Sequence, residues 1–140
     1  MYETIKKHTE SDYLAALTSE QKVTYRLLQS TRMPDGSRVP GVVPEKDSGA
    51  EKVERAGAEL YRIFLTDDPG YAATREAIKT KGEESADNVV RILSAAVSQS
   101  TGMDASSCVS YTVYLIVTIL RAGFAITLES FVDEDRTMDV

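Results

Sequence analysis

Apolar residues recur at intervals of three and four positions over much of the chain, and this is the spacing of one face of a helix. The clearest case follows Ser48 and Glu51, whose Ser-x-x-Glu pattern is typical of a capping box at a helix start. The apolar residues that continue this spacing are Val53, Ala56, Gly57, Leu60, Ile63 and Phe64. The pattern therefore predicts an amphipathic helix that turns one face toward a core.

Similar signals predict further helices along the chain. Thr18 and Gln21 have the pattern of a second capping box, and Asp68-Pro69 joins a cap residue to a favoured first-turn proline. Glu83 begins an acidic run that suits the positive end of a helix dipole. The segments assigned to helices are roughly 11–30 (one or two helices), 68 to about 79, 83–101 and 124–132. The last segment also alternates as a strand does, and we choose helix.

The most apolar stretch, residues 110–128, approaches the length of a membrane span, which needs about twenty apolar residues. Arg121 inside it would cost about 3 kcal/mol in a bilayer, and only residues 113–120 are strongly apolar. We therefore expect no membrane span and predict a buried central helix over about 106–122, ended by Gly123 in a left-handed cap. The predicted fold is all-α, a single-domain bundle of about five or six short helices around this apolar helix.

A long segment without helical spacing, residues 31–49, separates the first helices from the rest. It holds three of the four prolines and three of the eight glycines, so we predict a loop. Loops of this length are often functional, and this one mixes charge with apolar side chains. The residues proposed to contact a partner are Arg32, Arg38, Val42 and Val43. The alternative is a solvated linker held in place by one or two valines.

The charge of the chain is −6, and much of it lies in an acidic C-terminal tail, residues 129–140. A nucleic-acid-binding protein needs a basic face, and no dense Lys/Arg cluster is present, so no nucleic-acid partner is expected. The expected partner is another protein or a second copy of this chain. The polar N-terminus and the single cysteine favour a cytoplasmic location.

Residues with catalytic chemistry are scarce. His8 is the only histidine and lies in a polar N-terminal stretch that we expect to fray, so it is interpreted as a solvated surface residue. Cys108 has no predicted base beside it and is interpreted as a packing residue. The carboxylates at Glu51/Glu54 and Glu83/Glu84/Asp87 are assigned to solvated helix faces. We thus predict no catalytic, cofactor-binding or metal-binding residue and no cofactor.

These observations favour a non-enzymatic protein–protein interaction module, such as an adaptor, regulator, inhibitor or assembly factor, that presents a helical surface and the 31–49 loop. Three alternatives stay open. The first is an enzyme of unfamiliar type that uses Cys108 or an acidic pair. The second is an acidic decoy of nucleic acid, and the third is a subunit of a helical viral or phage assembly.

Overall fold

A computed structural model gives an all-α bundle, as predicted. It describes the backbone of residues 1–138 and the side chains of residues 1–132. The helices in this part of the chain are α1 (Tyr2–Lys6), α2 (Glu10–Leu14), α3 (Ser19–Thr31), α4 (Gly49–Leu65), α5 (Ala72–Lys81), α6 (Ala86–Thr101), α7 (Ala105–Ala122) and α8 (Phe124–Met138). A short 3-10 turn, Pro69–Tyr71, leads into α5.

Helix α7 is the centre of the bundle, as the apolar run predicts. It packs against α2, α3, α4, α6 and α8, and its residues from Ser110 to Ile119 are all buried. Two of its polar side chains find partners inside the protein, since the Thr118 hydroxyl donates to the Tyr114 carbonyl and the Ser110 hydroxyl donates to the Gln21 carbonyl. The hydroxyl of Thr112 is buried without a hydrogen-bond partner among the described residues. By length and composition alone α7 would suffice to cross a membrane, but most of it is enclosed by the other helices.

The helix ends follow the cap signals with two differences. Thr18 and Gln21 form the reciprocal capping box that the sequence predicts. Ser48 accepts from the Glu51 amide, but the Glu51 carboxylate accepts from the Asp47 amide instead of completing the box. At Gly123, φ is 115° and ψ is 152°, so the predicted left-handed cap is wrong. This extended, positive-φ conformation is nearly exclusive to glycine, and it redirects the chain into α8.

The N-terminus was expected to fray, but it forms a helix that packs on the bundle. This additional helix is one reason why the predicted count of five or six helices is too low. Eight α-helices lie in the described part of the chain, and the first of them packs instead of fraying. Ile5 is fully buried, and its carbonyl accepts a 2.7 Å hydrogen bond from the Tyr13 hydroxyl. His8 is half-buried with Nε2 2.7 Å from the Gly82 carbonyl, so its interpretation as a solvated residue is wrong.

Two further boundaries differ in detail. Helix α6 begins after Ser85, which accepts from the Asn88 amide, so Glu83 precedes the helix and pairs with Lys7 instead. Residues 124–132 are helical, which confirms the choice of helix over strand, and α8 continues as backbone to Met138. The predicted acidic tail 129–140 thus begins within α8. Its side chains beyond Val132, and Asp139 and Val140 entirely, lie outside the described residues.

Candidate functional site

The first half of the predicted loop, residues 32–38, is a tight turn docked on the bundle. Arg32 and Arg38 face each other in an antiparallel bridge, and the Met33 amide donates to the Ser37 carbonyl at 2.9 Å. Gly36 at the tip has φ of +86°, and a Cβ there would stand 2.7 Å from Cγ2 of Thr118. The turn therefore needs glycine both for its backbone conformation and for its close approach to α7.

A buried carboxylate, Glu54 of α4, holds this turn in place. Arg38 donates from Nε to Oε2 at 2.6 Å and from Nη2 to Oε1 at 2.7 Å, and Arg32 donates from Nη1 to Oε2 at 3.1 Å. Burial by itself would raise the pKa of Glu54, but the hydrogen bonds from the two guanidinium groups outweigh it and lower that pKa. Arg32 also lies over the ring of Phe131, 4.9 Å from its centroid.

This arrangement changes how the residues proposed for partner binding are understood. Arg32 is 5% exposed and Arg38 is partly buried, so both guanidinium groups serve the internal ion cluster around Glu54. The assignment of Glu54 to a solvated helix face is wrong. The sequence of α4 does not distinguish Glu54 from a solvated carboxylate, because its position along the helix lies at the edge of the apolar face. The available signal was the pair Arg32 and Arg38, because two cations that lie close together need an anion between them.

The second half of the loop, residues 39–47, projects from the bundle. Val42 and Val43 are 53% and 68% exposed, and the Val42 amide donates to the Val39 carbonyl at 3.1 Å, which closes a turn. The end of the segment is tied down by Asp47, whose carboxylate accepts from Arg55 of α4 at 3.0 Å. The two valines are thus presented to solvent between fixed ends.

Exposed apolar side chains concentrate in one stretch of the chain. Of the six large apolar residues that are exposed among the described side chains, five lie between residues 23 and 43, and the sixth is Ile126 of α8. We call these five the α3–loop surface: Val23, Leu27, Met33, Val42 and Val43. Val23 and Leu27 are four residues apart and so share one face of α3.

A groove of about 440 Å³ lies between α2 and α3, so it shares helix α3 with this surface. Leu14, Leu17 and Tyr25 give it an apolar floor, and Lys22 and Arg26 stand at its edge. No carboxylate of residues 1–132 lies within salt-bridge distance of these two cations. Helix α3 therefore offers apolar contact together with positive charge that is not neutralised locally.

The residues considered for catalysis have structural surroundings. Cys108 is fully buried, and burial followed by the nearby Asp104 charge raises the pKa of its thiol, so the reactive thiolate is disfavoured. Asp87 pairs with Arg91 on the surface of α6. Within the described residues, no group of three or more His, Cys, Asp or Glu side chains is placed to hold a metal ion.

Comparison with known proteins adds no information on function: no family model, curated protein or solved structure matches this chain at a significant level.

Proposed function

We propose that this protein is a non-enzymatic, cytoplasmic interaction module, and that the α3–loop surface binds an acidic amphipathic helix of a partner protein. The observation that carries the proposal is the concentration of exposed apolar side chains between residues 23 and 43. Exposed apolar residues that are concentrated in one segment, on a helix that also borders a groove, are typical of a protein-binding site.

The chemistry of the partner follows from the charges around the groove. Lys22 and Arg26 flank apolar side chains on α3 and have no carboxylate partner among residues 1–132. A partner helix with an apolar stripe and flanking Glu or Asp side chains matches this chemistry. Its apolar stripe fits the groove, because helices bind grooves through apolar anchors at helical spacing, and its carboxylates pair with Lys22 and Arg26. Opposite charge on the partner speeds association and selects orientation.

The alternatives receive less support. A second copy of the chain carries an acidic C-terminal segment and is the nearest competitor for the same surface. An enzyme that uses Cys108 or Glu54 is disfavoured. Burial keeps the Cys108 thiol uncharged, and Glu54 is already paired with two arginines. The described side chains give no support to the acidic decoy of nucleic acid or to the viral or phage subunit.

The test is a binding titration with synthetic amphipathic helical peptides of about five turns that carry one leucine stripe. One peptide has Glu on its flanks and the other has Lys at the same positions. Fluorescence anisotropy of the labelled peptides should give saturable binding of the acidic peptide and about tenfold weaker binding of the basic one. Light scattering of the protein alone, at the same concentrations, separates this binding from self-association.

Two variants make the test specific to the surface. Leu27→Glu removes an exposed apolar residue of α3, and Ile126→Glu removes the comparably exposed residue of α8. We expect Leu27→Glu to weaken binding of the acidic peptide about tenfold or more and Ile126→Glu to leave it unchanged. Equal effects of the two variants, or no saturable binding of the acidic peptide, would refute the proposal.

A further inference from the structure

A second concave site lies between α4, the end of α6 and α8, and it is lined in part by Glu54. It encloses about 310 Å³, which is within the range of small-molecule sites in proteins. Its wall combines charged and hydroxyl groups of α4 and α6 with the ring of Phe131. This site shares no lining residue with the α2–α3 groove.

Three carboxylates line this cavity, and two of them have ample hydrogen-bond donors. Glu54 accepts three bonds from Arg32 and Arg38, and Glu51 accepts two from Arg55 and one from the Asp47 amide. Each of these negative charges is therefore stabilised within the protein. Neither needs an external cation.

The third carboxylate, Glu59, is different. It is 9% exposed, and its Oε2 is buried without a hydrogen-bond partner among the described residues. The nearest cation, Nη1 of Arg62, lies 3.6 Å from Oε2 on a side chain that is largely exposed. Leaving a buried acceptor of this kind without a donor costs free energy, and such atoms in proteins call for an explanation.

The cavity is also lined by Arg55 and Arg62, and a small organic cation fits beside Glu59 once the exposed Arg62 side chain swings away. The Tyr71 hydroxyl pairs with Ser100 next to the cavity, and burial raises the pKa of Tyr71, helped by the nearby Glu59 charge and by a side-chain hydrogen bond to Glu59. Ser100 and Thr101 add hydroxyl acceptors to the wall, while Ala58 and Phe131 add apolar area.

We propose that this cavity binds a small primary amine in its protonated form, with its ammonium group donating to Glu59 and its alkyl portion against Ala58 and Phe131. The exposed Arg62 side chain moves aside to admit the ammonium to Oε2. This binding is independent of the α3–loop surface, since the two sites have no residue in common.

The test uses n-butylammonium chloride as the probe, with n-butanol as the neutral analogue and sodium butyrate as the anionic one. Protein-observed NMR of the full chain follows the amide signals of Ala58, Glu59, Ser100 and Thr101. We expect saturable shifts with butylammonium only, and at least tenfold weaker binding by Glu59→Gln. The control variant is Glu20→Gln, an exposed carboxylate of α3 that should bind the amine as the original protein does.

Thermal unfolding is measured on the same variants, because Glu59→Gln preserves the shape of the side chain and should leave the melting temperature unchanged or raised. Loss of binding with an intact fold supports the proposal. Butylammonium shifts that are absent, that persist in Glu59→Gln, or that butanol reproduces would overturn it and leave Glu59 as a carboxylate served by Arg62 and water.

Discussion

Gly57 of α4 lies directly beneath the ring of Phe131 in α8, so closely that a Cβ on residue 57 would stand 2.5 Å from Cγ of the ring. The glycine allows the two helices to approach, and Phe131 in turn supports the guanidinium group of Arg32. One small residue in α4 thus positions α8 and the docked turn together.

The Gly57→Ala variant should be less stable, although alanine is the better helix former, because the added methyl displaces a buried ring. We expect a loss of about 2 kcal/mol in the free energy of unfolding, typical of an overpacked core. Urea denaturation followed by circular dichroism measures it. Gly49→Ala is the matched control, since a Cβ there meets only Leu28 at 3.8 Å and should be neutral or slightly stabilising.

Glu54→Gln should be strongly destabilising, because it leaves two arginines around an uncharged amide. Breaking a buried ion cluster from one side costs about 3 kcal/mol or more. Urea denaturation compares the free energy of unfolding of Glu54→Gln with that of the exposed control Glu20→Gln. Equal stability of the two variants would show that the turn is held by something other than Glu54.

The same carboxylate predicts a pH dependence. The pKa of Glu54 is lowered by folding, so its contribution is fully present above the ordinary value of 4.5 and is lost as the pH falls toward and through the lower folded value. Melting temperatures of the original protein should therefore decline below about pH 4.5, and those of Glu54→Gln should decline less steeply. Parallel profiles for the two proteins would contradict this account.

The sequence predicts the helical class and the central helix well, because the signals for both are local. Spacing of apolar residues locates α4 and α7, and the side chains of Thr18 and Ser48 mark helix starts that the structure retains. Contacts between distant segments are not encoded in such patterns. The pairing of Arg32 with Glu54, 22 residues apart, depends on how two elements pack, so the sequence alone places Glu54 on a solvated helix face and Arg32 in a partner-binding loop.

The N-terminal helix shows the same limit. Lys7 and His8 look like members of a solvated polar segment until α5 and α6 place Glu83 and the Gly82 carbonyl beside them. Likewise, the groove between α2 and α3 exists only after both helices pack on α7, so its residues could not be chosen from spacing alone.

The loop 31–49 should behave as two separate units when it is altered. Replacing residues 39–46 with a Gly/Ser linker of equal length should leave the melting temperature nearly unchanged, because those side chains make few internal contacts. Replacing residues 34–38 removes both Gly36 and Arg38 and should destabilise the protein by about 2 kcal/mol or more. Differential scanning calorimetry of both variants checks this, and similar losses would mean that the loop acts as one unit.

Cys108 should be inert in the folded protein. Its thiol is fully buried and its pKa is raised by burial and by Asp104, so an aromatic disulfide reagent should react slowly until the chain unfolds. Ser106→Cys in a Cys108→Ser background supplies the exposed control and should react at once. Rapid labelling of the native protein at Cys108 would revive the enzyme alternative.

The central claim is that Lys22 and Arg26 select an acidic helix for the α3–loop surface, and exchanging charges tests it most directly. The double variant Lys22→Glu/Arg26→Glu is titrated against the acidic and the basic amphipathic peptides at low salt, beside the original protein. We predict that the original protein prefers the acidic peptide about tenfold and that the double variant reverses this preference, with both preferences shrinking as salt rises. An unchanged preference in the double variant would contradict the account.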